Sequence, residues 1–417
     1  MALRHNNANL RRGAVALALG LVLASCSPGT FQIGSRTIGW PPGNVGGGSS
    51  AVGAATIPNQ TPMPMSGGEV FGRGPVPVAL LLPLSGDRGL AEVGTSLANA
   101  SKLAMAFIEA NPNIAENITI TLRDTGDSVA GASNAANAAI ADGAKLILGP
   151  LKGDQVSAAG ASARSAGVPL IGFANNPNAA GSGVYLLSVL PEMEMKRAIT
   201  YIKAQGRRGL AGAFPATPYG EALATAFRQQ AIAAGFSPSA VYTFSSASEA
   251  QQIAAQAKPL INRGMIDAFF LPERASAPAF AGALAAAGAT GDAVQIVGSA
   301  DWAGDPTIAA TPALSGAIYP AVDEAGFNAI AEDYHNRFGS RPHPLATIAY
   351  TATILANVNT LSMATPPYNP ALLTGASGFN GRDGAFRFLA NGRAEYALVV
   401  KKVGADGGAT TVDGAKL

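Results

Sequence analysis

The stretch Val76–Gly89, VPVALLLPLSGDRG, decides how the chain is organised. Val76 to Leu82 is an apolar run too short to span a membrane and suited to a strand buried on both faces. Pro83 stops it, and Ser85-Gly86-Asp87 supplies turn chemistry. From Ala91 to Glu109, apolar residues recur at helical spacing through Val93, Leu97, Leu103 and Phe107. A buried strand, a small-residue loop and a long helix form the first unit of a parallel α/β sheet. In such sheets ligands sit beyond the carboxyl ends of the strands, which places the Leu84–Gly89 loop at a cleft. An ordinary strand-to-helix connection with no ligand is the competing reading of the loop.

Outward from that unit the alternation continues. Strands are predicted at Ile118–Arg123, Lys145–Leu148, Val168–Phe173 and Val184–Val189, with helices at Ala130–Asp142 and Asp154–Ser165. A second set begins near Pro191. Its helices are Glu192–Gln205, Tyr219–Ala234, Ser248–Arg263 and Ala277–Ala287; its strands are Gly209–Phe214, Val241–Phe244, Ile266–Leu271, Val294–Gly298 and Gly316–Tyr319. Two helices then follow in succession, Asp323–Phe338 and Ala346–Met363. A hairpin, Gly384–Leu389 with Ala394–Lys402, turns at Asn391-Gly392. Successive sets of strand–helix units predict an α/β protein of two doubly wound parallel-sheet lobes joined by a multi-strand hinge. Crossings are expected near Pro191, Tyr319–Pro320 and Pro366–Asn369. Lobe 1 is then 75–190 plus 320–366, lobe 2 is 191–319 plus 367–403, and 404–417 is a flexible tail.

Composition narrows the function. Twenty-eight basic against 26 acidic residues leave a net charge of +2, so no basic face for nucleic acid is implied. His5, His335 and His343 lack metal-ligand spacing, and no metal or cofactor is expected. Neither a G-x-S-x-G elbow, an S-x-x-K pair nor a phosphate-binding P-loop occurs, so no catalytic residues are assigned. The Asp124/Asp127 pair sits in a turn, where backbone capping accounts for it.

The single cysteine is informative by position. Arg4, Arg11 and Arg12 precede the apolar run Gly13–Ala24, and Leu23-Ala24-Ser25-Cys26 follows. This arrangement resembles a bacterial lipobox. The resemblance implies a signal peptide at 1–25, a lipid on Cys26 and, with Ser27 next, release to the outer membrane. A membrane anchor with an incidental cysteine is the alternative. Residues 26–74 then form a Gly/Pro/Ser linker holding a folded body away from the lipid. Trp40 in it suits a membrane-surface contact, a docking motif or a stray aromatic.

Several short motifs in order resemble the leucine-binding family of type I periplasmic binding proteins: ALLLPLSG (79–86), RDTGD (123–127), LILGPLKGDQV (146–156), VPLIGFANNP (168–177), PYGEALA (218–224) and DAFFLPE (267–273). One branch of that family feeds amino acids to an ABC permease. Another comprises lipoprotein activators of penicillin-binding proteins, and LLLPLSG followed by GPLK looks closer to it. The resemblance therefore implies a lipid-anchored protein at the periplasmic face of the envelope. Its partner is a peptidoglycan synthase or, alternatively, a small amino-acid-like ligand with its ABC permease. By the same resemblance, Ser85, Lys152, Phe173, Asn175, Asn176, Tyr219, Glu273, Asp301 and Trp302 are ligand-cleft candidates. The Ser/Thr loop tips that receive an amino acid's carboxylate are replaced by Lys152 and Asn175-Asn176. Structural readings stand beside these: a solvated Lys152, a Tyr219 packed on the sheet, an exposed Glu273 and a Trp302 between helices.

Overall fold

The structure, a computed structural model, describes residues 68–238, 240–289 and 293–417, with the backbone of 31–33 and 36–38. The expected signal peptide, Cys26 and Trp40 lie outside the described residues. Two elements fall inside the expected linker. Phe31–Ile33 pairs antiparallel with Arg36–Ile38, and Val70–Phe71 joins the first sheet.

The first lobe is built on a six-stranded sheet. Its strands are β1 (Val70–Phe71), β2 (Val76–Leu82), β3 (Ile118–Asp124), β4 (Leu146–Leu148), β5 (Leu170–Gly172) and β6 (Val184–Leu186). Their order is β1-β3-β2-β4-β5-β6, parallel except for β1. Helices α1 (Arg88–Ala110), α2 (Val129–Ala141) and α3 (Gly153–Ala166) make the crossovers. Every residue of β2 except Pro77 is buried, as expected of a central strand with both faces covered. Asp87 caps α1 by accepting from the Leu90 N–H at 2.8 Å. Gly94 is required by packing: a Cβ there would stand 1.8 Å from the Pro83 carbonyl oxygen.

The second lobe repeats the plan. Helix α4 (Pro191–Ala204) opens it, followed by β7 (Leu210–Pro215), α5 (Pro218–Ala233), β8 (Ala240–Phe244), α6 (Ala250–Asn262), β9 (Ala268–Phe270), α7 (Ala277–Ala286), β10 (Gln295–Val297) and β11 (Ile318–Ala321). These strands are parallel in the order β8-β7-β9-β10-β11. Counted from each lobe's first parallel strand, both sheets run 2-1-3-4-5. That order reverses between the first and third strands, which puts a topological switch point at β2/β4 in lobe 1 and at β7/β9 in lobe 2.

The chain then returns. Helices α8 (Ala325–Phe338) and α9 (Ala346–Asn357) pack on α1, with Ser101 and Thr353 hydroxyls 2.6 Å apart in the seam. The predicted single helix to Met363 breaks at Val358, whose ψ of 119° is extended. A three-stranded antiparallel sheet follows, β12 (Phe379–Gly381), β13 (Gly384–Phe388) and β14 (Ala394–Tyr396), and its Phe386, Phe388 and Tyr396 join the lobe 1 core. β15 (Leu398–Val403) enters the lobe 2 sheet antiparallel to β11, and β16 (Ala409–Lys416) closes its edge.

Three expectations are corrected. The chain does not pass to lobe 2 at Pro366–Asn369: Tyr368 is fully buried in the lobe 1 core, and the passage comes at Ala397, between strands of different sheets. The expected hairpin arm Ala394–Lys402 is therefore two strands. The residues placed in a flexible tail hold the edge strand β16. Its partner Arg197 explains why: the guanidinium donates to the Leu398 carbonyl at 2.6 Å, Asp413 Oδ2 at 2.8 Å and the Gly414 carbonyl at 2.8 Å.

Candidate functional site

The passages between lobes lie at 187–190, 322–324 and 397, leaving β6 and β11 at their carboxyl ends. β15 enters beside the carboxyl end of β11, where Val399 pairs with Ala321. The carboxyl edges of the two sheets therefore share the hinge, and each switch point opens on the same side as the connections. Ion pairs brace it. Lys196 meets Glu395 at 3.1 Å and Glu192 meets Arg393 at 3.1 Å, joining α4 of lobe 2 to the small sheet of lobe 1. Burial pushes the Glu395 carboxyl up, but bonds from Arg387 and Lys196 outweigh it and hold it below its ordinary value.

On the lobe 1 rim the polar groups are committed to one another. Asp124, at the end of β3, accepts from the Leu84 N–H at 2.8 Å and the Gly126 N–H at 2.7 Å. Burial raises this carboxyl, while the Ser85 hydroxyl and the N–H groups of Gly126, Leu84 and Ser85 bring it below the usual range. Ser85 thus serves the RDTGD turn. Lys152 donates to the Asp127 carbonyl at 3.4 Å and stands 4.0 Å from Asp154. Asn176 accepts from the Asn178 N–H at 3.0 Å, and its side chain lies over Gly153, where an added Cβ would meet it at 3.0 Å. Asn175 is half-buried beside it. The structure therefore brings Lys152 and Asn176 together at the start of α3.

Gln155 was missed by motif reading although it lies inside LILGPLKGDQV. Fully buried in the first turn of α3, it donates through Nε2 to the carbonyls of Gly126 at 3.1 Å and Ser128 at 3.2 Å. This amide fastens the β3 turn to α3. A glutamine amid helix-starting residues carries no sequence signal for that role.

Phe173 is not a rim residue. It is 2% exposed and belongs to the lobe 1 core, because the strand's apolar side continues one residue past β5. Trp302 is also internal, at 1% exposed. Its ring covers Gly298, where a Cβ would lie 2.2 Å from the indole, and sits 6.2 Å from the Tyr319 ring. The bulk of an indole is accommodated where Gly298 removes a side chain, so the Asp301-Trp302 pair is split, with Asp301 half-buried and Trp302 enclosed.

On the lobe 2 rim, Tyr219 starts α5 and packs against the core of that lobe. Glu273 follows β9 at the switch point and is half-buried; its carbonyl accepts from the Ala277 N–H at 3.1 Å. Its neighbour Arg274 pairs with Asp305 at 3.2 Å. Among the described residues no group of His, Cys, Asp or Glu is placed to hold a metal ion, and no helix is long and apolar enough to cross a membrane.

The family described as periplasmic binding protein matches residues 75–408. No curated protein sequence matches the chain. Among solved structures, a Rhodospirillum rubrum protein described as a branched-chain amino acid ABC transporter has a TM-score of 0.70 at 19% identity, over 81% of this chain and 99% of its own. A Desulfitobacterium hafniense ABC transporter substrate-binding protein in complex with Leu has a TM-score of 0.60 at 17% identity, over 81% and 99%. Full-length LpoA from Haemophilus influenzae has a TM-score of 0.62 at 17% identity, over 82% of this chain and 59% of its own. Identities this low carry the fold alone. The fold shared is two lobes of mixed α/β structure with parallel-dominated sheets.

Proposed function

We propose that this chain, which belongs to the periplasmic binding protein family, works as a non-catalytic docking lipoprotein that engages a penicillin-binding protein in peptidoglycan synthesis. The observation that carries the reading is the lobe 1 rim. Where a free amino acid's carboxylate would need unspent donors, Ser85 and the N–H groups of Leu84 and Gly126 already serve Asp124, and Lys152 donates to the Asp127 carbonyl. A ligand would have to break those bonds before making its own, and each such exchange erodes affinity. The motif resemblance to penicillin-binding protein activators supports the same partner. In this reading Cys26 carries the lipid in the outer membrane and the linker spans part of the periplasm. The test is co-purification with a detergent-solubilised bifunctional synthase and measurement of its glycan-polymerising and cross-linking rates. Binding with a raised rate is expected; no binding to any such synthase overturns the proposal.

A second reading, solute capture for an ABC permease, draws on Glu273. This half-buried carboxylate at the carboxyl end of a central strand is where an ammonium could be held. Thermal-shift titration with amino acids separates the two. A ligand at a hundred times its Kd stabilises by about 2.7 kcal/mol, a shift easily read. A saturating shift abolished by Glu273→Gln favours capture; none favours docking.

A further inference from the structure

The net charge of +2 conceals a segregation. The connections that lead into β7, β8, β9 and β10 lie at the amino edge of the lobe 2 sheet, opposite the hinge. Together with the last two turns of α4, α5 and α6 they carry Lys203, Arg208, Arg228, Lys258 and Arg263, all exposed. None of these five forms an ion pair among the described residues. Asp267 is already committed, accepting from the N–H groups of Arg208 and Gly209, each at 2.9 Å. Asp292, before β10, lies outside the described residues. In the matching connections of lobe 1 the charges balance, with Arg73 and Lys145 against Glu116 and Asp142.

Contacts gather the cations onto one surface. Lys203 donates to the Ala234 carbonyl at 2.6 Å and lies 5.9 Å from the centre of the Phe236 ring, which joins the ends of α4 and α5. A Cβ on Gly209 would stand 2.2 Å from the Met265 carbonyl oxygen, so Arg208 sits beside the turn that holds Arg263. Arg228 and Ile232 are four residues apart on α5 and share a face. Apolar side chains stand among these charges. Ile232 is 68% exposed, more than any other large apolar residue among the described ones, and Met265 is 47% exposed. A cation near a helix C-terminus complements the macrodipole, which accounts for Lys203. It accounts neither for Arg208 nor for the exposure of Ile232 and Met265. We propose that this edge is a contact surface for a lipid bilayer bearing anionic phosphate headgroups. Each Lys or Arg near such a surface is worth about fivefold in affinity, within a Debye length of about 8 Å at physiological salt. Apolar side chains set between the cations enter the headgroup boundary. A single-stranded nucleic acid would need exposed rings for its bases, and Phe236 is half-buried under Lys203. The proposal rests on this edge alone and is independent of the docking reading.

The test places the whole chain on phosphatidylcholine vesicles, with and without phosphatidylglycerol, and follows hydrogen exchange at 203–209 and 262–266. Phosphatidylglycerol should slow exchange there about fivefold or more, with 72–75 and 112–117 of lobe 1 unchanged. Salt at about 1 M, where the Debye length falls to about 3 Å, should abolish the effect. Combining Lys203→Gln, Arg208→Gln and Arg263→Gln should weaken the contact about 100-fold and remove the protection. Ile232→Ser with Met265→Ser should weaken it about tenfold. All five positions are exposed, so the variants keep the fold. No slowing with phosphatidylglycerol overturns the proposal. So does equal slowing in lobe 1, a response to heparin but not to vesicles, slowing that needs an added protein partner, or a triple variant that behaves as the parent chain does.

Discussion

Replacing Arg197 with methionine tests whether the lobe 2 side of the hinge is fastened by one side chain. Arg197 belongs to α4, just after the first passage between lobes, and is 5% exposed. Its three acceptors lie on β15 and β16, just after the last passage. Methionine keeps the length and apolar stem but removes every donor. The Leu398 carbonyl, on a buried strand residue, then loses its charged donor, which costs about 1–3 kcal/mol. Asp413 retains Lys416 at 2.7 Å, and it stands with Gly414 on an edge strand that water reaches, so their loss adds about 0–1 kcal/mol. The sum, about 1–4 kcal/mol, corresponds to amide exchange about 5- to 700-fold faster. Hydrogen-exchange mass spectrometry should find that acceleration in 398–403 and 409–416, with 78–82 of lobe 1 unchanged. Acceleration below about threefold, or an equal rise in both lobes, would refute the fastening argument.

Other outcomes follow from the same geometry. Phe173→Ala should cost about 3–5 kcal/mol in urea unfolding, as for a core aromatic; a loss below 1 kcal/mol would return Phe173 to the rim. Gly94→Ala should lower the melting temperature, since its Cβ meets the Pro83 carbonyl at 1.8 Å, and overpacking of this kind costs about 1–3 kcal/mol. Asp124, Glu395 and Asp413 are all held below their ordinary values of 3.8, 4.5 and 3.8. Each therefore favours the folded state above its unfolded pKa, and the benefit is lost as pH falls through the folded value. Melting scans should show this loss begin only below about pH 5, and Asp124→Asn should flatten it; an unchanged acid limb in that variant would contradict the rim assignment.

The strand–helix alternation was legible because each element has its own period: near-continuous apolar runs in β2 and β9, helical spacing in α1. What failed was assignment to a lobe. From Ala394 to Val403 cover hardly breaks, because Tyr396 through Lys401 are all buried, Tyr396 against Phe386 and Leu398 already in the adjoining sheet. Periodicity reports that a residue is covered, never by which sheet. The edge strand β16 was hidden for the opposite reason. Its residues are nearly all exposed, and it is held by its ladder to β15 and by Arg197, neither of which leaves an apolar pattern.

The candidate site was legible in position and not in commitment. Strand ends announce where Ser85, Lys152 and Glu273 fall; they do not announce whether a side chain's bonds are already spent. That distinction separates the rims. On lobe 1 a carboxylate of the chain's own, Asp124, occupies the donors that a ligand carboxylate would need. In lobe 2 a half-exposed carboxylate, Glu324, is instead paired with one buried side chain, Lys401. An anion of the chain's own, held at the surface by several backbone N–H groups, makes a rigid face suited to docking. If Asp124→Asn loosened the rim and thereby created amino-acid binding, the lobe 1 rim would be a receptor site silenced by its own carboxylate, and the docking proposal would lose its support.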